Sequence, residues 1–154
     1  GCGIMKTIMQ EIQTALAKQI DWLSYSHSQA LKLPEEHEKW EKSHYDVMES
    51  LCARFARGID FLVRKVFRAL DDAEFLPQGT LIDTVHRAHK RNLFEYIETI
   101  QRIKDLRNQI AHEYADEVLA DLFPEVRSLT QELIQMMQNT LVYVDESLNK
   151  NDNN

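Results

Sequence analysis

The stretch MKTIMQEIQTALAKQIDWLSYSHSQAL, residues 5–31, decides the fold class. Its apolar residues recur at spacings of three and four, which places them on one side of an α-helix; they are Ile8, Ile12, Leu16, Ile20 and Leu23. The stripe stops before Leu33-Pro34, because a residue that precedes proline is pushed out of the helical region. The stretch therefore predicts a first helix over residues 5–31.

The same apolar spacing continues along the chain, with few residues that interrupt a helix. The 154 residues include only 4 Gly and 3 Pro, whereas an all-β fold needs many more turn residues. The pattern predicts an all-α, up-and-down helical bundle of four to five helices. After the first helix, the expected segments are 35–73 with a break or an overhanging end near Ser43, 81–90 capped by Thr80, 93–113, a short turn or helix over 116–122, and 124–148 with Pro124 in its first turn.

These helices form one predicted domain, residues 5–148. Residues 1–4 are interpreted as an N-terminal extension or a remnant of cloning, and the polar tail 149–154 is predicted to be disordered. The two cysteines cannot build a disulfide framework, which favours a reducing compartment. No apolar run approaches the roughly 18 residues of a membrane span, and no signal-peptide pattern is present. We therefore expect a cytoplasmic protein that does not bind membranes.

Basic residues are concentrated in two stretches of an acidic chain. The net charge is −7, but residues 52–68 hold five basic residues against one acidic residue, and residues 86–107 hold six against three. Such stretches can follow a phosphate backbone even when the whole chain is acidic. The alternative is that both are solvated faces paired with acidic residues elsewhere. The predicted RNA-binding residues are Arg54, Arg57, Arg64, Arg68, Arg87, Lys90 and Arg91.

The segment RNQIAHEY, residues 107–114, ends the predicted helix 93–113 and carries the most informative polar residues. Asn108 and His112 are four residues apart and so lie on one side of a helix, within hydrogen-bonding reach. His112 lies about 160–200° from Ile110, so it is not expected in the core. Arg107 lies about 140° from His112, so a straight helix does not aim both at one point. A long Arg side chain, a kink at the helix end, or a second copy of the helix is needed to bring them together.

An arginine and a histidine together suit cleavage of RNA by its own 2′-hydroxyl without a metal. A histidine with a pKa of about 6.5 takes or gives a proton at neutral pH. The guanidinium fork of arginine suits phosphate and the charge that develops on it. His112 is then the general base or acid, Arg107 stabilises the phosphate charge, and Asn108 orients His112 or holds the substrate. The alternative is a helix C-terminus that carries Arg and His because positive charge is favourable there.

The string Arg-Asn-x3-His-x-Tyr at Arg107, Asn108, His112 and Tyr114 resembles the motif of the HEPN superfamily. In particular, it resembles the toxins that are encoded beside a minimal nucleotidyltransferase antitoxin. The order of the helices over residues 5–148 matches that family as well. The resemblance implies a homodimeric helical bundle with metal-independent endoribonuclease activity, in which Arg107 and His112 are catalytic.

The resemblance also implies how the toxin is neutralised. The nucleotidyltransferase antitoxin transfers AMP onto the tyrosine of the motif, here Tyr114. RNA, the antitoxin and a second copy of the chain are therefore the expected partners, and neither a metal nor a cofactor is expected. Some members of the superfamily keep the bundle but only bind or scaffold. The alternative function is accordingly a non-catalytic helical subunit that partners a nucleotidyltransferase or another protein.

Overall fold

The computed structural model describes residues 2–152, and within them the chain is helical with no β-strand, which confirms the all-α prediction. A 3₁₀ turn spans His37–Lys39, and a π-helical turn, Leu62–Val66, joins the second helix to the third without a break. The fold therefore has five helical rods. The α-helices are α1 Cys2–Ala30, α2 Lys42–Phe61, α3 Phe67–Ala73, α4 Leu81–Lys90, α5 Ile97–His112 and α6 Asp116–Asp152.

The long helices α1, α2 and α6 pack on one another and enclose most of the core. Helix α5 packs on α2 and α6, and the short α4 covers α3 and the π-turn. The apolar stripes read from the sequence face this core: Leu16, Leu23, Phe55, Ile100 and Leu106 are all buried. In the described part of the chain, no helix is both long enough and apolar enough to cross a membrane.

The break in the predicted helix 35–73 lies just before Ser43. Trp40 and Glu41 separate the 3₁₀ turn from α2, which begins at Lys42. Trp40 is held in place because its indole nitrogen donates to the carbonyl of Pro34 at 2.7 Å and its ring packs edge-on against Phe123 of α6. These contacts hold Trp40 in an extended conformation, and the extended residues Trp40 and Glu41 interrupt the predicted helix.

Helix α4 begins and ends where the sequence predicted. The Thr80 hydroxyl accepts from the Asp83 amide at 3.2 Å, and the Asp83 carboxylate accepts from the Thr80 amide at 2.9 Å. This reciprocal pair stabilises the start of α4. Helix α5 begins at Ile97 rather than Leu93, because Leu93 and Phe94 are buried in a non-helical connection. Asn139 of α6 holds that connection by donating to the Leu93 carbonyl at 3.1 Å.

The last helix is one continuous rod of 37 residues, so the prediction that Pro124 begins a helix is wrong. Pro124 is exposed and lies inside α6, where it leaves the Ala120 carbonyl without the amide that an α-helix would supply. Its neighbours Phe123 and Val126 are buried, and their packing holds the helix together despite this loss. The helix also continues through residues 149–152 of the tail predicted to be disordered, and residues 153 and 154 lie outside the described range.

The N-terminal extension is helical from its second residue. Helix α1 begins at Cys2, and Gly1 lies outside the described residues. Residues 2–4 therefore belong to the same helix as the apolar stripe of α1.

Candidate functional site

Helix α5 positions the polar motif because its other side is fixed in the core. Ile103 and Leu106 are buried, so the residues on the opposite side face outward. Asn108 and His112 are exposed, which confirms that His112 is not a core histidine. Arg107 lies between these two sides, with its side chain 31% exposed.

The carboxylate of Asp60, on α2, holds the guanidinium of Arg107. The Arg107 Nε atom donates to both carboxylate oxygens, at 3.0 and 3.1 Å, and Nη2 donates to Oδ2 at 2.8 Å. The hydrogen bond to Asp60 raises the pKa of Arg107 above its usual value. Asp60 therefore pairs with a residue of the neighbouring helix α5 and not with a basic residue of its own helix.

The Asp60–Arg107 pair lies in a cleft of about 300 Å³ between α2, the π-turn and α5. Arg64 from the π-turn and Lys104 from α5 add two further positive charges. The remaining lining residues are Ile59, Val63, Leu81 and Asn108. The cleft therefore combines three cations and one carboxylate with apolar walls, a composition suited to an anion.

Within one subunit, His112 does not line this cleft. Its side chain makes no hydrogen bond among residues 2–152, and Asn108 is not bonded to it even though the two residues share a face. This outcome follows from the wide angle between Arg107 and His112 on the helix. A site that uses both residues needs a conformational change at the end of α5 or a second copy of the chain.

Tyr114 is the most exposed large hydrophobic residue among the described residues, at 95%. It lies in the short connection between α5 and α6. The carboxylate of Glu113 fixes this connection, because Oε1 accepts from the amides of Tyr114 and Ala115 at 3.1 and 3.0 Å. The backbone is thereby held while the phenol ring of Tyr114 is left in solvent.

The predicted RNA-binding residues of α2, the π-turn and α3 do not form one stripe. Arg57 and Arg64 are exposed and Arg68 is half-buried. Arg54 stacks on the Trp22 ring at 4.2 Å and donates to the Ser26 hydroxyl at 2.5 Å. The π-turn adds one residue to a turn, and so turns Arg68 by about 100° from the position that an unbroken α-helix would give it.

Two other predicted RNA-binding residues belong to a buried ion-pair network instead. Arg91 is 6% exposed and donates to Asp71 at 2.7 Å and to Glu74 at 2.8 Å. Burial lowers the pKa of Arg91, but its hydrogen bonds and charges with Asp71 and Glu74 raise it above its usual value overall. Arg87 donates to Asp71 at 3.1 Å and to the Pro77 carbonyl at 2.8 Å.

This network ties α4 to α3, so Arg91 is not free to contact RNA and the guanidinium of Arg87 is already engaged. Of the basic run on α4, Lys90 remains exposed. Over residues 2–152, no group of three or more His, Cys, Asp or Glu side chains is arranged to hold a metal ion.

Sequence reasoning missed two residues of the cleft. Lys104 lies one helical turn before Arg107, and this spacing of three residues was a signal that places both on one face. Asp60, the second residue, pairs with Arg107 across 47 positions of the sequence, and no local sequence pattern predicts such a contact.

The chain shows no significant similarity to a protein-family model, to a curated protein or to a solved structure. The resemblance to the HEPN superfamily therefore rests on the motif and on the order of the helices.

Proposed function

We propose that the protein is a HEPN-type, metal-independent endoribonuclease that acts as a cytoplasmic homodimer. The observation that carries the proposal is the string Arg-Asn-x3-His-x-Tyr at the end of α5, with Asn108, His112 and Tyr114 exposed and Arg107 at a basic cleft. These side chains are placed where a substrate can meet them.

The proposed reaction needs only the groups of the motif and the RNA itself. His112 takes the proton of a 2′-hydroxyl, whose oxygen then bonds to the adjacent phosphorus. The bond from phosphorus to the 5′-oxygen breaks, and that oxygen receives a proton from a protonated His112 of the same or the other subunit. The products are a 2′,3′-cyclic phosphate and a free 5′-hydroxyl. Arg107 stabilises the negative charge that builds on the phosphate oxygens.

The dimer supplies the convergence that one subunit lacks. If two α5 helices meet near their C-termini, the His112 of one subunit can face the Arg107 cleft of the other. An isologous contact of this kind gives two identical sites. Light scattering tests it: the dimer model expects twice the mass of one chain, and a strictly monomeric protein that still cuts RNA would exclude a shared site.

Cleavage of total RNA in EDTA tests the activity directly. We expect the wild-type protein to cut and His112→Ala to be slower by roughly 10²- to 10⁴-fold, as for loss of a general acid–base. Arg107→Ala is expected to fall in a similar range. Gln109→Ala is the matched control, because Gln109 is an exposed neighbour on the same helix. Equal rates in all four proteins would remove the motif from the reaction.

A non-catalytic binding subunit is the second candidate, and the Asp60–Arg107 pair favours it, because the pair already satisfies much of the guanidinium. The net charge of −7 also disfavours RNA as a partner. The two candidates differ in one result. The binding subunit forms a complex with a nucleotidyltransferase or another protein but leaves RNA intact.

A further inference from the structure

The cleft beside α5 carries more positive charge than its one ion pair uses. Arg64, Lys104 and Arg107 contribute three cations and Asp60 one anion. Neither Arg64 nor Lys104 takes part in an ion pair among the described residues. Asp60 binds Nε and Nη2 of Arg107, which leaves Nη1 without a hydrogen-bond partner in residues 2–152. Two net charges and several N–H donors are thus available to an anion.

The helices fix the backbone positions from which these side chains enter the cleft. Lys104 and Arg107 are one turn apart on α5, and Arg64 approaches from the π-turn across the cleft. Ile59, Val63 and Leu81 supply the apolar part of the lining. No aromatic ring lines the cleft, so stacking of a base is not expected there.

We propose that this cleft binds one backbone phosphate of a single-stranded nucleic acid, held by Arg64, Lys104 and Nη1 of Arg107, while Asp60 fixes the orientation of the Arg107 guanidinium. The choice of nucleic acid rests on the proposed function. The cleft reads the backbone rather than the sequence, because its donors are charged and it has no platform for a base. A flexible single strand can place one phosphate in a cleft of about 300 Å³.

Binding of a short, fluorescent single-stranded deoxyoligonucleotide tests this site apart from cleavage. The probe lacks 2′-hydroxyls, so it is not a substrate for the proposed reaction. We expect Lys104→Ala and Arg64→Ala each to weaken binding roughly fivefold at moderate salt, as for loss of one partly exposed charged contact. One bound phosphate contributes about 0.7 to the slope of log K against log salt, so each substitution is expected to remove part of that amount.

Lys32→Ala is the matched control, because Lys32 is exposed and lies outside the cleft. If all three variants weaken binding equally, attraction is due to overall charge and the proposed site is wrong. No binding by the wild-type protein overturns it as well. If equimolar inorganic phosphate displaces the oligonucleotide, the cleft is a site for the free ion and the nucleic-acid assignment fails.

Comparison of oligonucleotide binding with RNA cleavage distinguishes a failure of the proposed phosphate site from a failure of the proposed nuclease activity. Oligonucleotide binding that depends on Lys104 and Arg64, in a protein that leaves RNA intact, supports the cleft and contradicts the proposed function. RNA cleavage that is unchanged in Lys104→Ala and Arg64→Ala supports the nuclease and overturns the cleft.

Discussion

The guanidinium of Arg107 meets the carboxylate of Asp60 edge to edge, with every contact between 2.8 and 3.1 Å. Two N–H groups shared by one carboxylate fix the plane of the guanidinium as well as its position. The pair is about one-third exposed, so solvent screens it and its worth to stability is about 1 kcal/mol or less. Its main effect is on where Arg107 lies.

Asp60→Asn distinguishes the effect of Asp60 on the orientation of the Arg107 guanidinium from the effect of its negative charge on the cleft. The amide no longer holds the guanidinium firmly, so we expect kcat for RNA cleavage to fall roughly tenfold. The substitution also removes the only negative charge of the cleft, so KM and the dissociation constant of the oligonucleotide are expected to fall as well. Asp105→Asn, at an exposed position of α5, is the control and leaves both unchanged. A rise in KM with no change in kcat would contradict the positioning role.

Tyr114→Phe is expected to abolish modification by a nucleotidyltransferase antitoxin. In the proposed transfer, the phenol oxygen attacks the α-phosphorus of ATP and pyrophosphate leaves. The 95% exposure of Tyr114 gives an enzyme access to this oxygen. Intact-mass measurement with the antitoxin and ATP is expected to show a gain in multiples of AMP for the wild type and for Tyr25→Phe. Tyr25 is also an exposed tyrosine and serves as the control, and a mass gain that persists in Tyr114→Phe would assign the modification elsewhere.

Asp71→Asn tests the network that holds α4 on α3. Asp71 and Arg91 are each 6% exposed, so removal of the carboxylate leaves a buried guanidinium with fewer partners. We expect the free energy of unfolding to fall by about 2–4 kcal/mol in urea denaturation. Asp72→Asn, at the exposed neighbouring position, is expected to change it by less than about 0.5 kcal/mol. Oligonucleotide binding by the folded Asp71→Asn protein should match the wild type, since Arg91 does not reach solvent.

Cys52 makes the stability depend on alkaline pH. Burial, with a smaller effect of Glu49, raises the pKa of its thiol from 9.0 to about 12. The unfolded chain therefore releases this proton first. The stabilising contribution is complete below pH 9 and is lost between pH 9 and 12, with roughly 1 kcal/mol gone at pH 10. Cys52→Ala is expected to unfold with a flatter pH dependence over this range, although the variant is less stable throughout. Parallel profiles would show that Cys52 ionises as readily folded as unfolded.

The helices were predictable because their signals are local. Apolar spacing located α1 and the core side of α5, and the cap at Thr80 located the start of α4. Pro124 was misjudged because its exposed position in α6 costs one hydrogen bond, whereas the buried neighbours Phe123 and Val126 hold the helix on both sides. Local rules give the usual place of a proline, and tertiary packing overrode that preference.

The candidate site was only partly predictable, for the same physical reason. The exposure of His112 and its angle from Arg107 follow from the geometry of one helix. The partners of Arg107 and Arg91 lie on other helices, at Asp60 and Asp71, and depend on how those helices pack. The sequence of a basic run such as residues 86–91 does not indicate whether its guanidinium groups are exposed to water or paired with a buried carboxylate.

The π-turn at Leu62–Val66 makes the cleft depend on how many residues the turn contains. Phe67 bonds back to Leu62 across this turn, one residue further than in an α-helix. Exchange of one side chain for another of similar size leaves that spacing intact. Deletion of a single residue would instead return the turn to α-helical spacing and rotate α3, with Asp71, about the helix axis relative to α2. The number of residues in the turn therefore fixes the rotation of α3 relative to α2. This segment is expected to tolerate substitution far more readily than insertion or deletion.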